Sequence, residues 1–277
     1  MLEVLRRATG YLTSHGSASA RLDAEVLMAH ALSVRRLDLY LQFDRQLSEA
    51  ELAPYRDLLS RRGRGEPVAY LVGRKEFMKL DFEVTPDVLV PNPDTEVLVE
   101  RAVAWARERS GGARAVRIAD VGTGSGCIAV AVAHYVPEAV VWASDIDEAA
   151  LAVAGRNVRT HGLADRVTLV RGDLLAPLPT ALDLVCANLP YVAPGAELPA
   201  EVVAQPAHAL FADEAGAALV KRLLGEAPAK LAPGGAVFAE IDPSLRQALL
   251  GALGGYAGHR LHRDLGGHVR VLEAWTS

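Results

Sequence analysis

Val116-Arg117-Ile118-Ala119-Asp120-Val121-Gly122-Thr123-Gly124-Ser125-Gly126 decides how the chain is read. Val116–Asp120 reads as a short apolar strand, Asp120–Gly126 as a glycine loop, and 126–135 as the helix that follows. Glycine lets a backbone turn tightly and approach a ligand without a Cβ in the way. The loop lacks the Lys-Ser/Thr ending of a phosphate loop. Its glycines alternate without the two-residue gap that a dinucleotide fingerprint needs before the third. Taken alone, it also fits a plain strand-to-helix turn.

Outward from this loop the pattern alternates. Helix 94–109 precedes it. Strand 140–144 leads to Asp145 and helix 147–161, strand 167–170 to Gly172-Asp173, and strand 183–187 to Asn188. A helix over 214–231 and the turn Pro233-Gly234-Gly235 precede strand 236–241. A further helix and strands near 256–262 and 268–275 close the chain. Buried-looking strands separated by helices imply a parallel, doubly wound α/β sheet, and the two late strands an antiparallel end to it. Residues 2–62 read instead as helices, with Leu2, Leu5, Ala8 and Leu12 at helical spacing and a capping box at Ser48–Glu51. Gly63 and Gly65 end that region. Phe77, Leu80, Phe82 and Val84 form a β-like stretch, read as a connecting hairpin, with imperfect alternation around Met78.

Composition narrows the function. The 277 residues are 51% hydrophobic and 23% charged, with two cysteines and a net charge of −5. This excludes a disordered chain and a disulfide scaffold. Cys127 and Cys186 sit in apolar runs and read as small core residues. No apolar stretch approaches the ~20 residues of a membrane span. Met1-Leu2-Glu3-Val4 lacks a secretion-signal pattern, so a cytoplasmic location is expected. No cluster of metal ligands stands out, so no metal is expected. The acidic balance argues against stable nucleic-acid binding. Residues 1–75 carry a charge of +3 and residues 76–277 one of −8.

In an open α/β sheet, ligands bind outside the carboxyl ends of the strands. Four such ends carry polar or glycine-rich elements. Gly122, Thr123, Gly124, Ser125 and Gly126 form the first. Asp145 can accept hydrogen bonds from both ribose hydroxyls of an adenine nucleoside, or cap the next helix; Asp147 can take the capping role instead. Asp173 can meet an adenine amino group and Leu174 cover its ring, although a plain Gly-Asp turn fits equally. In Asn188-Leu189-Pro190-Tyr191, the Asn carbonyl and the next backbone carbonyl can accept both hydrogens of a planar –NH2 group. Tyr191 offers a ring to pack on it, and an ordinary Asn-x-Pro turn is the plainer alternative. In combination the four describe an S-adenosyl-L-methionine-dependent methyltransferase acting on a planar nitrogen. His134, His161 and His208 fall in no strand-end motif and read as structural or exposed.

The chain resembles the release-factor glutamine methyltransferases, the HemK/PrmC family, over nearly its whole length. Arg21–Leu27, Gly65–Gly73 with Glu76-Phe77, Pro91–Glu96, the glycine loop, Asp145, Asn188–Tyr191, Leu231–Glu240 and Asp264–Arg270 carry the resemblance. It implies a Rossmann-like class I methyltransferase with a seven-stranded, mostly parallel sheet and a small N-terminal helical domain. The implied domains are 1–75 (helical, substrate-binding), 76–90 (hairpin linker) and 91–277 (methyltransferase). The implied reaction moves a methyl group from S-adenosyl-L-methionine to the glutamine amide nitrogen in the Gly-Gly-Gln motif of class I peptide chain release factors, leaving S-adenosyl-L-homocysteine. Cofactor contacts carry over to Gly122–Gly126, Asp145, Asp173, Leu174 and Asn188, and the catalytic contacts to Asn188, Leu189, Pro190 and Tyr191. Leu189 stands where the family usually has proline, Asn92 where arginine is usual, and Gln205 where glutamate is usual. The rival readings are an adenine-N6 methyltransferase acting on RNA or DNA, for which Asn-Leu-Pro-Tyr is a familiar spelling, and a noncatalytic cofactor-binding adaptor.

Overall fold

The helical spacing of the first 62 residues is realised as α1 (Leu2–Ser14), α2 (Ala20–Ala31), α3 (Arg36–Leu41) and α4 (Glu49–Gly63), followed by the short α5 (Val68–Val72). The structure is a computed structural model describing residues 1–112 and 114–277. Leu12, Ala24, Leu27 and Met28 are fully buried at the centre of these helices. The α4 capping box forms: Ser48 N donates to Glu51 Oε2 at 2.9 Å, and Glu51 N to Ser48 Oγ at 3.4 Å. Arg62, 6% exposed, donates through Nε to Asp23 Oδ2 at 2.7 Å. Ser17 and Ser19 hydroxyls also donate to that carboxylate, which satisfies its buried acceptors.

Phe77 and Phe82 come from β1 (Arg74–Phe77) and β2 (Leu80–Glu83). The broken alternation at Met78 is the hairpin turn itself: Met78 and Lys79 have φ of 51° and 61°. Neither residue favours that region. Glu96 Oε1 accepts from Met78 N at 2.7 Å and the Tyr135 hydroxyl donates to Met78 O at 2.6 Å, which holds the turn. Both phenylalanines are buried in the core of the sheet-bearing unit, ring edge to face at 6.1 Å, so the hairpin is part of that core.

After α6 (Glu96–Arg109) the strands and helices alternate as β3 (Val116–Val121), α7 (Cys127–Tyr135), β4 (Ala139–Asp145), α8 (Glu148–Thr160), β5 (Val167–Arg171) and β6 (Leu182–Ala187). The one-turn α9 (Ala200–Val203), α10 (Ala218–Glu226), β7 (Leu231–Glu240), α11 (Arg246–Leu250), β8 (Gly258–Arg263) and β9 (Val269–Trp275) complete the chain. The sheet order is β5-β4-β3-β6-β7-β9-β8. β3 to β7 run parallel, while β9 is antiparallel to both β7 and β8. This is the seven-stranded, mostly parallel sheet with an antiparallel end that the sequence implies. Cys127 and Cys186 are buried and free.

Three features depart from the sequence reading. The stretch 214–231 is not one helix. Glu214, Ala215 and Gly216 have φ of 52°, 55° and 92°, which breaks it before α10, and a separate 3-10 turn spans Ala227–Ala229 around Pro228. Strand β7 starts before the Pro-Gly-Gly turn: Leu231 pairs with Leu182, and the register resumes at Ala236 opposite Leu184, so the turn is looped out of the strand. The chain also divides into two compact units, Met1–Arg74 with Leu198–Ala204, and Lys75–Glu197 with Gln205–Ser277. Within the first unit the Leu198–Ala204 segment is held by Arg62 Nη2 donating to Glu201 Oε2 at 2.5 Å. Among the described residues, no helix is long and apolar enough to cross a membrane.

Candidate active site

Strand register dictates where the site must lie. From β3 the chain moves first to β4 and β5 on one side, then to β6 and β7 on the other, so the topological switch point falls between β3 and β6. Val121 pairs with Ser144 on one side and Ala187 on the other. The next residues, Gly122, Asp145 and Asn188, therefore emerge side by side. Asp145 is in turn paired with Arg171, which brings Gly172–Leu174 alongside. A cleft of about 370 Å³ opens there, within the usual range for small-molecule sites. Its walls include Gly122–Ser125, Asp145, Asp173, Leu174 and Asn188–Pro190.

The glycine loop is fastened from beneath. Gly122 N and Thr123 N both donate to Ser144 O at 2.9 Å. Gly122 has φ of 72°, and a Cβ there would lie 2.8 Å from Leu189 Cδ2. Only glycine permits both this turn and the packing of Leu189 against it. Asp120 is buried below the loop, where Oδ2 accepts from Thr123 Oγ1 at 2.6 Å and Ala129 N at 3.0 Å. Burial pushes its carboxyl up to about 7 despite those bonds. Among the described residues, Asp120 Oδ1 and Ser125 Oγ are buried with no hydrogen-bond partner. Gly126 is not part of the cleft wall and packs instead against Ala154 of α8.

Asp145 is anchored as well as exposed to the cleft. Oδ2 accepts from Gly124 N at 2.8 Å and Oδ1 from Asp147 N at 3.0 Å. Each carboxylate oxygen retains acceptor capacity for a ligand. Asp147 caps α8 by accepting from Ala149 N at 2.8 Å, the capping role expected of it. Asp173 is ion-paired with Arg222 of α10 at 2.8 Å, a partner invisible in the sequence. Leu174 is buried with φ of 45°, and Ser144 Oγ donates to its carbonyl at 3.1 Å. A leucine held in this region marks a locally strained backbone at the cleft wall.

Asn188 Nδ2 donates to Thr95 Oγ1 at 3.0 Å, which leaves Oδ1 as the end available to a ligand. Leu189 is 4% exposed. Tyr191 is not part of the cleft wall; its hydroxyl donates to Glu240 Oε1 at 3.4 Å. Glu240 is 2% exposed. Burial drives its carboxyl up to about 7, partly offset by the facing Thr95 and Tyr191 hydroxyls and by Arg270. The Asn188–Tyr191 loop is held downstream by Val192 N donating to Leu210 O at 2.9 Å and Ala212 N to Val192 O at 3.0 Å.

Several wall residues were not legible as functional. Asp87–Asn92 and Thr95 contribute a whole side of the cleft. Val90 N donates to Gln205 Oε1 at 2.9 Å, and Asn92 Oδ1 accepts from Asp94 N at 3.1 Å. Both departures from the family spelling thus have defined structural work. His208 is exposed, as expected, yet also lines the cleft and pairs with Asp147 at 3.2 Å. His161 is structural, bonded to Asp81 O at 2.9 Å. Thr95 lay inside the quoted Pro91–Glu96 stretch and Glu240 inside Leu231–Glu240. That proximity was the only sequence signal for either.

Comparison with known proteins bears on the whole chain. Residues 3–73 match the PrmC N-terminal domain and residues 107–213 the methyltransferase small domain. A release factor glutamine methyltransferase of Rhodopirellula baltica is 39% identical over 98% of this chain and 95% of its own. One of Moorella thermoacetica is 42% identical over 99% and 97%. A methyltransferase structure from Pyrococcus furiosus, 19% identical, matches 80% of this chain and 98% of its own with a TM-score of 0.55, a likeness of fold. With near-complete coverage at this identity, the chain belongs to the release factor glutamine methyltransferase family.

Proposed function

We propose that this protein transfers a methyl group from S-adenosyl-L-methionine to the side-chain amide nitrogen of the Gly-Gly-Gln glutamine in class I peptide chain release factors. The observation that carries the reading is Asn188 at the switch point. Its amide is tied back through Nδ2 and stands beside a glycine loop and an anchored Asp145. The whole-length likeness to release factor glutamine methyltransferases supports this substrate over an adenine base.

The residues present fit the cofactor. Ser125, on the cleft wall, keeps an unpartnered hydroxyl, and Asp145 keeps acceptor capacity for two ribose hydroxyls. Gly122–Gly124, Asp145, Asp173 and Leu174 would hold it, with Asp173 sharing its carboxylate with Arg222. When bound, it supplies an activated methyl: a nitrogen–carbon bond forms as the sulfur–carbon bond breaks, and one amide proton is released to water. The chain's own task is alignment. An amide nitrogen is a poor nucleophile because its lone pair is delocalised. Asn188 Oδ1 and the Leu189 carbonyl accept its two hydrogens and fix its direction, and a near-attack geometry carries much of the rate. Pro190 and Tyr191 stiffen and back that loop.

The helical unit is the element that grips the release factor in this reading. Leu37, Tyr40, Leu41 and Phe43 are exposed there, on the unit whose charge differs in sign from the rest. Clustered exposed apolar side chains mark contact surfaces. A cytoplasmic location follows from a substrate that acts in translation. The test is transfer of labelled methyl to purified release factor and ribosomal RNA offered in parallel. Label on the release factor that vanishes when its Gly-Gly-Gln glutamine is replaced is the expected result. Label on RNA alone moves the assignment to adenine methylation.

A further inference from the structure

We infer that Arg222 fixes the Asp173 carboxylate as the reader of the cofactor's exocyclic amino group, and is therefore a positioning residue for base specificity. The inference rests on the reading of the cleft as the S-adenosyl-L-methionine site, with Asp173 facing the adenine amino group. Its starting point is an uneven restraint on Asp173. The backbone there is well pinned: Gly172 N donates to Asp145 O at 2.9 Å, Ala176 N to Asp173 O at 3.1 Å, and Ser144 Oγ to Leu174 O at 3.1 Å. The side chain is half exposed. Among the described residues its one contact is Arg222 Nη2, which donates to Oδ2 at 2.8 Å.

Arg222 is brought there by the packing of α10. Val220, Leu223 and Leu224 are buried in the core, which fixes the rotation of the helix. Leu219 and Arg222, three positions apart, fall on one face, and both line the cleft. The guanidinium is steadied from its own helix, where Nη2 also approaches Glu226 Oε1 at 3.4 Å. Asp173 and Arg222 thus reach the same wall from different elements, 49 positions apart.

The contact has a chemical consequence. An unrestrained aspartate can turn either oxygen toward a ligand or away from it. With Oδ2 taken by a permanent cation, Oδ1 is the oxygen left without a partner among the described residues. A carboxylate offers lone pairs only. It accepts from the amino group of adenine and repels the carbonyl that hypoxanthine carries at the same position. A half-exposed ion pair adds little to folding. The effect of Arg222 is therefore expected in ligand discrimination rather than in stability.

The test is calorimetric binding of two compounds to the full chain, Arg222→Met and Asp173→Ala. One is S-adenosyl-L-homocysteine; the other is S-inosyl-L-homocysteine, which has a carbonyl in place of the amino group. The readout is the ratio of the two affinities, which a change in the folded fraction does not move. A hydrogen bond to a charged group corresponds to about 10- to 100-fold, so wild type is expected to prefer the adenosyl compound by that factor. Asp173→Ala should abolish the preference. Arg222→Met keeps the apolar stem and removes the guanidinium. It should cut the preference by about 3- to 10-fold through weaker adenosyl binding, with Tm within about 2 °C of wild type. An Arg222→Met protein that binds both compounds more weakly by the same factor would have lost only structural support, and the inference is overturned. An unchanged ratio overturns it equally. A wild-type ratio near one, or a ratio that survives Asp173→Ala, defeats instead the reading of Asp173 as the contact to the amino group. If neither compound binds the wild type, the cofactor reading itself fails.

Discussion

Gly216 offers the sharpest way to perturb the substrate loop without touching it chemically. It has φ of 92°, and a Cβ placed on it would lie 1.9 Å from Tyr191 O and 2.7 Å from Tyr191 C. The first distance is about 1 Å closer than any ordinary carbon–oxygen approach. Both atoms met are backbone, so no rotamer change relieves the clash. In Gly216→Ala, either the 214–216 turn or the Tyr191 backbone must move by about 1 Å, and the left-handed backbone adds ~1–2 kcal/mol of strain. Tyr191 lies two positions beyond Leu189, the second of the two residues assigned to the substrate amide. A misplacement of that size costs about 100-fold in rate when near-attack geometry carries the catalysis. We therefore expect kcat with release factor to fall about 100-fold. Cofactor affinity should stay within about twofold, because the Asp145–Gly124 and Ser144–Gly122 bonds lie on other strand ends. The assay is single-turnover methyl transfer at saturating cofactor, with calorimetry for binding. A Gly216→Ala protein that folds and keeps its single-turnover rate within threefold would refute the claim that this loop's position limits the reaction.

Three further outcomes follow from the same geometry. Arg62→Met leaves the buried Asp23 carboxylate without its cation and should destabilise the protein by ~3–5 kcal/mol in urea unfolding; a midpoint shift too small to resolve would mean that Ser17 and Ser19 suffice. Replacing both Leu37 and Leu41, 61% and 70% exposed, by Asp should raise KM for release factor while leaving cofactor affinity and Tm unchanged; an unaltered KM removes this surface from the interface. Asp120 and Glu240 both hold their protons up to about pH 7, well above their unfolded values of 3.8 and 4.5, so folding favours their protonated forms. Their contribution is complete below about pH 4 and is lost as pH rises through 7. Tm should therefore fall between about pH 4 and 7 and level off above it, and the slope should flatten in Asp120→Asn and Glu240→Gln. Asp264, held below its ordinary value by hydrogen bonding to Arg270, acts only at lower pH. A Tm that rises over this window, or a slope unmoved by both substitutions, would count against it.

What the sequence revealed depended on the range of the interaction. Strands and helices are written in short apolar periodicities, and the glycine loop, the Asp145/Asp147 division and Asn188 sit within a few residues of the strand ends that place them. The parallel sheet and its antiparallel edge were legible for that reason. Thr95 and Glu240 were not, because each acquires meaning only from a partner far along the chain: Thr95 and Asn188 are 93 positions apart, Tyr191 and Glu240 49. The same applies to the Leu198–Ala204 segment, whose Glu201 meets Arg62 across 139 positions. The 214–216 turn misled for a different reason. Glu and Ala are good helix formers, and only the approach of Gly216 to the Tyr191 backbone explains why the chain departs from helix there.

The departures from the family spelling show how the site tolerates change. The cradle asks of position 189 only a backbone carbonyl, and a proline there would stiffen the loop through its ring. Leu189 can stiffen it another way. Its side chain is buried against Gly122, so the substrate loop and the glycine loop brace each other across the switch point. Gln205 still offers the oxygen that receives Val90 N, and Asn92 turns the chain into the segment that presents Thr95. In each case what persists is a hydrogen-bond acceptor or a packed contact, while the charge or ring usually found there is gone. An arrangement that works by alignment can absorb such exchanges. In this reading the group it cannot exchange is the one that sets direction, Asn188.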